Sequence, residues 1–216
     1  MIITVGGIKG GTGKSTILSH LATLAASDGA RVLIVDADSQ HSLLSWSDAR
    51  NERTETLPQI TTVAMRGGHI GTEIRKLSVD YDCVFVDTDG QDGGSQRSAL
   101  LAAHKFLTTF GPRAQDVWTA DQVAALVKGA KAVNTELTAF SVLNRCDTRG
   151  GRQNAEAEGC LSEYADAIPL LPIRLGERKA IAMSFEEGLG LVEQPRRDVK
   201  ALDELTALWT LLKKGS

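Results

Sequence analysis

Lys9-Gly10-Gly11-Thr12-Gly13-Lys14-Ser15-Thr16 follows the short apolar run Ile2-Ile3-Thr4-Val5 almost at once and leads into helix-forming residues. A strand feeding a glycine-rich turn and then a helix gathers backbone N–H groups and the positive end of the helix dipole at one point, which suits the phosphates of a nucleotide. Gly10, Gly11 and Gly13 let the backbone curl without side-chain clash, and Thr12 and Thr16 complete the cradle. Lys14 can reach the β- and γ-phosphates, and the Ser15 hydroxyl is placed to ligate Mg²⁺. The usual phosphate-loop pattern asks for glycine at position 8, where this chain has Ile8. The version that fits is K-G-G-x-G-K-[ST], which carries a second lysine, Lys9.

Around this loop, apolar runs alternate with helical patterns. Arg31 to Val35, Cys83 to Val86, Phe106 to Phe110 and Leu137 to Leu143 are nearly continuous in apolar character, as parallel strands covered on both faces must be. Helical spacing falls at about Lys14 to Ser27, Ser42 to Arg50, His69 to Leu77, Ser95 to Ala103, Ala120 to Asn134, Asn154 to Tyr164 and Asp198 to Lys213. The alternation predicts an α/β fold, a doubly wound, mostly parallel sheet flanked by helices in three αβα layers. Asn51 to Pro58 and Asp147 to Gly151 read as surface loops. The 216 residues suffice for one such domain with a single core.

Composition narrows the function. A formal net charge of −3 means that any nucleic-acid contact must come from a local patch. Cys83, Cys146 and Cys160 are odd in number and form no C-x-x-C pair, so they read as buried or incidental thiols in a reducing cytosol. No stretch reaches the ~20 apolar residues of a membrane span, and Met1 leads straight into the first strand. The expected location is cytoplasmic.

In open parallel sheets ligands sit beyond the carboxyl ends of the strands. The second run ends V-D-A-D-S-Q, which places Asp36 and Asp38 on one side of an extended chain. The third ends F-V-D-T-D-G, with Asp87 placed to hold Mg²⁺. Aspartates at strand ends also serve as turn and cap residues, and only the neighbouring loop tilts the reading toward Mg²⁺ for Asp36 and Asp87. Asn144 ends its strand where a carboxamide could offer a donor and an acceptor to an adenine edge.

The loop resembles the deviant Walker A motif of the ParA/MinD superfamily of ATPases. V-D-T-D-G-Q-D-G-G-S-Q-R-S-A-L-L-A-A from Val86, P-R-A-Q-D-V-W-T-A-D-Q-V-A-A-L-V from Pro112, F-S-V-L-N-R-C-D from Phe140, and P-I-R-L-G-E-R-K-A-I-A-M-S-F-E-E-G-L-G-L-V-E from Pro172 resemble small ParA-type partition ATPases, so the likeness covers nearly the whole chain. The resemblance implies that Lys9 acts across a dimer interface on the nucleotide of the other subunit. It also implies that Asp38, in the family's D-x-D-P-Q motif, orients the attacking water. Ser39 stands where that motif has proline, which predicts a less rigid loop. Asn144, with Pro172 as a neighbour, is implied at the adenine.

The function so implied is a slow ATPase switch. ATP and Mg²⁺ close a homodimer that binds DNA without sequence preference, and a ParB-like or small centromere-binding partner stimulates hydrolysis to position plasmid or element DNA on the nucleoid. No N-terminal helix-turn-helix precedes the loop, which speaks against operator recognition. Candidate DNA contacts are Arg174, Arg178 and Lys179, and Arg196, Arg197 and Lys200, although acidic neighbours nearly balance both clusters. Alternatives are a relative that positions a protein cluster, organelle or transfer complex, and a MinD-like membrane-cycling ATPase. The apolar stripe Val199, Leu202, Leu205, Leu208, Trp209 and Leu212 would serve the latter, although such a stripe more often packs on the core. An iron–sulfur ATPase lacks the cysteines, and a small-molecule kinase would need a metabolite acceptor.

Overall fold

A computed structural model describes residues 1–53, 56–90 and 93–214. Thr54 and Glu55, inside the expected loop 51–58, and Gln91 and Asp92, inside the segment from Val86, lie outside the described residues. The strands β1 (Ile2–Gly6), β2 (Val32–Asp36), β3 (Ile60–Ala64), β4 (Cys83–Asp87), β5 (Lys105–Phe110), β6 (Thr138–Cys146) and β7 (Leu170–Gly176) form one sheet in the order β3-β2-β4-β1-β5-β6-β7. Every pairing is parallel.

The connecting helices are α1 (Lys14–Ser27), α2 (Ser42–Asn51), α3 (Ile70–Leu77), α4 (Gly94–Ala102), α5 (Ala114–Val117), α6 (Ala120–Lys131), α7 (Arg152–Ser162), α8 (Lys179–Glu186) and α9 (Val199–Lys214). The predicted α/β doubly wound sheet is what forms. Five strands and seven helices fall where the apolar pattern places them, with ends shifted by up to three residues. The strands β3 and β7 and the helices α5 and α8 are additional.

Alternation along the central strands divides the core into two layers. Leu33, Val35, Val84 and Val86 pack with Ile70, Ile74, Leu100, Val123 and Val127 on one face. Val32, Ile34 and Phe85 pack on the other with Ile17, Leu18, Leu21, Trp46, Leu205 and Trp209. Most of the apolar stripe of α9 is therefore core: Leu205, Leu208, Trp209 and Leu212 are buried, Leu202 is partly so, Val199 at the start is exposed, and Trp209 Nε1 donates to Asp28 Oδ2 at 3.0 Å. No helix among the described residues is long and apolar enough to cross a membrane.

Strand order reverses at β1, which lies between β4 and β5. The turn leaving β1 thus opens into the crevice where the crossovers diverge to opposite faces. That turn is the lysine- and glycine-rich loop.

Candidate nucleotide site

Gly13 caps α1 with φ of 90°, a left-handed conformation that a side chain would strain, and a Cβ there would meet Asn144 Nδ2 at 2.3 Å. The loop is braced from both sides. Asn144 Nδ2 donates to the Thr12 carbonyl at 2.8 Å, and the Thr109 hydroxyl donates to Thr12 Oγ1 at 2.8 Å. Gly90 approaches so closely that a Cβ would lie 2.6 Å from the Gly10 nitrogen, so the turn after β4 and the loop touch backbone to backbone.

The two lysines point different ways. Lys14 is buried and its Nζ donates to the Lys9 carbonyl at 2.9 Å, in a hollow of about 340 Å³ whose walls include Gly10, Ser15, Asp38 and Asp89. Burial lowers the pKa of its ammonium, while the carboxylates of Asp87, Asp38 and Asp89 act in the opposite sense. Lys9 turns out of that hollow: its Nζ pairs with Asp116 of the same chain and donates to the Gln115 carbonyl at 3.0 Å.

Among the aspartates, Asp87 and Asp36 sit side by side on adjacent strands. The Ser15 hydroxyl donates to Asp87 Oδ2 at 2.5 Å, while Asp87 Oδ1 is buried without a hydrogen-bond partner. Burial above all, with the carboxylate of Asp36 adding to it and the Ser15 bond opposing, pushes the Asp87 carboxyl up to about 7. A buried carboxylate oxygen with no donor, beside a serine hydroxyl, is a fit for a hard cation that takes one or two protein oxygens and completes its shell with phosphate and water.

Asp36 does not share that arrangement. Its Oδ1 accepts from the Asp38 N–H at 3.1 Å and its Oδ2 from the N–H groups of Leu43 and Leu44, each at 3.0 Å. One oxygen holds the turn at Asp38 and the other the start of α2, so the metal role expected for Asp36 is replaced by turn-making and capping, the other jobs that strand-end aspartates do.

Asp38 lines the phosphate hollow, and its Oδ1 accepts from the Gln40 N–H at 2.8 Å. Burial and the adjacent Asp89 hold its carboxyl above the ordinary range. The loop around it is tied down despite Ser39. The Ser39 N–H, which proline would lack, donates to Asp89 Oδ1 at 2.6 Å, and its hydroxyl donates to the same oxygen at 3.1 Å. Asp89 was not among the expected site residues. Gln96 was also missed: its Oε1 accepts from the Gly7 N–H at 2.9 Å and the Thr88 hydroxyl at 2.8 Å, locking the base of the loop.

A second hollow, of about 350 Å³, adjoins the loop between the ends of β6 and β7 and holds Asn144, Glu177, Arg178, Lys179 and Ile181. One N–H of the Asn144 amide is bonded to the loop, which leaves its carbonyl oxygen and its second N–H to offer to a base. Pro172 is not there. It lies exposed in the middle of β7 and borders a different hollow with Glu158 and Arg174. What β7 contributes to the base hollow begins at Leu175, near its carboxyl end.

The six expected DNA-contact residues do not form one free patch. Arg174 is paired with Glu158 at 2.5 and 2.7 Å, and Arg178 with Glu204 at 2.6 Å. Arg178 and Lys179 border the base hollow. At the start of α9, Arg196 and Lys200 are exposed without ion-pair partners among the described residues, and Arg197 donates to the Gln194 carbonyl at 3.2 Å.

A glycine-rich loop at the switch point of a parallel sheet, with Lys14 inside it and Ser15 bonded to a strand-end aspartate, defines a P-loop nucleotide-binding protein. The family described as the CobQ/CobB/MinD/ParA nucleotide binding domain matches residues 3–192, and the chain belongs to that family as a ParA-type ATPase. It is 30% identical over 187 residues to protein ParA of Rhizobium radiobacter, covering 87% of this chain and 83% of the relative. It is 23% identical over 207 residues to the maintenance of carboxysome distribution protein A of Halothiobacillus neapolitanus, covering 95% and 93%. In fold it is similar to the McdA–ATP complex of Cyanothece, with a TM-score of 0.82, 15% identity and 98% and 96% of the two chains covered.

Proposed function

We propose that this chain is an ATP-dependent positioning ATPase acting in DNA partition, in which ATP and Mg²⁺ close two copies face to face. The observation that carries the reading is the divergence of the lysines. Lys14 lies in its own phosphate hollow, whereas Lys9 turns away from it, held by Asp116, which supports a role for Lys9 on the nucleotide of the other copy. Ser15 and Asp87 would hold Mg²⁺, which when bound neutralises phosphate charge. Gly10, Gly11, Thr12, Gly13 and Thr16 cradle the phosphates through backbone N–H groups, and Asn144 presents an acceptor to the base. Asp38, at the mouth of the phosphate hollow, orients the attacking water and takes up its proton.

In the paired state two copies of the segment Arg196, Arg197 and Lys200 share one particle. Since the salt slope of binding grows with the number of phosphates neutralised, affinity for duplex DNA rises when subunits pair, and without base preference. A ParB-like or small centromere-binding protein is the stimulating partner, acting on the nucleoid. The similarity over nearly its whole length to a carboxysome-distribution protein supports a second reading, the same cycle moving a protein cargo.

Nucleotide titration with light scattering tests the core of this. Lys14→Ala should lose tight nucleotide binding. Lys9→Ala should bind ATP as the wild type does and remain monomeric. Equal loss of nucleotide affinity in both variants would refute the cross-subunit role.

A further inference from the structure

The ladder between β6 and β7 pairs Leu143 with Arg174 and then Cys146 with Gly176, so Asn144 and Arg145 together face the single residue Leu175. At this bulge Arg145 takes φ of 59°, a left-handed conformation unfavourable for a long side chain. Bulges re-aim side chains, and backbone strain of this kind persists where surrounding structure over-determines it, often at ligand clamps. Here the re-aimed side chain lies across the phosphate loop. Arg145 Nη1 donates to the Gly11 carbonyl at 2.7 Å, and the residue is exposed. The guanidinium pairs with no carboxylate among the described residues.

Arg145 borders both the phosphate hollow and the base hollow, and it is the one cation common to them. A nucleotide laid with its base near Asn144 and its terminal phosphates near Lys14 crosses where the two hollows meet, beside Gly13, Thr16 and Arg145, and the segment that crosses is the ribose with the α-phosphate. A guanidinium offers several donors in a planar fork, which suits a phosphate oxygen and a sugar hydroxyl together.

We propose that Arg145, thrown over the loop by the β6 bulge, is a nucleotide-binding residue that grips the ribose and α-phosphate of the bound nucleotide. This rests on the ATP-binding reading above. The grip belongs to the part shared by ATP and ADP, so it sets overall nucleotide affinity and leaves discrimination between the two to Lys14 and the cation.

The test compares wild type, Arg145→Gln and Arg145→Gly by titration with ATP, ADP and pyrophosphate, each with Mg²⁺, and by thermal melting without ligand. Both variants should bind ATP and ADP about tenfold or more weakly, as loss of a charged hydrogen bond implies. Pyrophosphate affinity should stay within about twofold, because pyrophosphate occupies the loop without reaching the crossing point. Arg145→Gly should melt no lower than the wild type, since glycine relieves the left-handed strain. Pyrophosphate weakening in step with the nucleotides would overturn the proposal by making Arg145 a brace of the loop alone, and unchanged ATP and ADP affinity would overturn it outright. Wild-type protein that failed to bind ATP would instead remove the functional reading on which it rests.

Discussion

Replacing Arg50 by methionine should cost the fold about 3–5 kcal/mol, the penalty of leaving one member of a buried ion pair without its partner. Arg50 on α2 meets Glu193 through two bonds, Nη1 to Oε2 at 2.8 Å and Nη2 to Oε1 at 2.7 Å, with the two side chains only 5% and 4% exposed. The guanidinium also donates to the carbonyls of Pro58 at 2.8 Å and Gly188 at 3.2 Å and lies 5.4 Å from the centre of the Trp46 ring. Glu193 in turn accepts from the Gly190 N–H at 2.8 Å. The pair therefore joins α2 to the segment between α8 and α9. A methionine fills similar volume but leaves the Glu193 carboxylate buried beside two carbonyls that have lost a donor. For a chain of this length such a loss lowers the melting temperature by roughly 10 °C. The double variant Arg50→Met/Glu193→Leu removes the stranded charge and should recover much of the loss, because a buried pair exchanged for apolar groups is often close to neutral. Urea and thermal unfolding of the wild type, the single and the double variants measure this. A single substitution costing under about 1 kcal/mol, or a double variant no more stable than the single, would refute the argument that desolvated charge dominates here.

Two further outcomes follow from the site and the core. Asp38→Ala should bind ATP and pair normally while hydrolysis falls roughly 10²–10⁴-fold, the usual contribution of a general acid–base group, as single-turnover assays would read; normal turnover would place the catalytic carboxylate elsewhere. His20 is enclosed, accepting from the Leu191 N–H at 3.1 Å and lying 3.2 Å from the Ile181 carbonyl, and burial pushes its pKa down to about 4. The folded ring stays neutral while an unfolded histidine titrates near 6.5, so the stability it contributes is complete above pH 6.5 and is lost as the pH falls toward 4, by about 3 kcal/mol. In His20→Gln the difference in unfolding free energy between pH 7 and pH 4 should shrink by about that amount, and an unchanged difference would show that His20 is not responsible.

The central strands were legible because burial on both faces leaves a run of apolar residues with nothing to interrupt it. The edge strands were not. β3 reads Ile60-Thr61-Thr62-Val63-Ala64, half exposed, and its threonines break the apolar run. β7 contains Pro172 and Arg174, residues that argue against a strand unless it lies at an edge, and β7 is an edge. β5 begins one residue earlier than the pattern implies because a charge hides there. Lys105 is buried, its pKa lowered by that burial, and its ammonium donates to the Leu212 carbonyl near the end of α9. Nothing local in the sequence announces that acceptor.

Within the site, what could be read was what chain neighbours decide. A glycine-rich turn between strand and helix makes its own phosphate cradle, and a strand-end aspartate falls at the crevice whatever lies beside it. What each carboxylate does there depends on groups distant in sequence or on where the next helix begins. Asp36 becomes a cap because α2 starts close enough to bring two N–H groups to one of its oxygens, whereas Asp87 meets only Ser15 and keeps an oxygen without a donor. Ser39 shows the same dependence in reverse: judged locally it loosens a loop that proline would stiffen, yet the turn after β4 delivers Asp89 to its N–H and hydroxyl, and the loop is held by two bonds that proline could not donate. Arg145 is the extreme case, since neither its bulge nor its left-handed backbone exists until β6 and β7 pair two residues against one. The cradle is thus a property of a short stretch of chain, and the side chains proposed to tune it are properties of the assembled sheet.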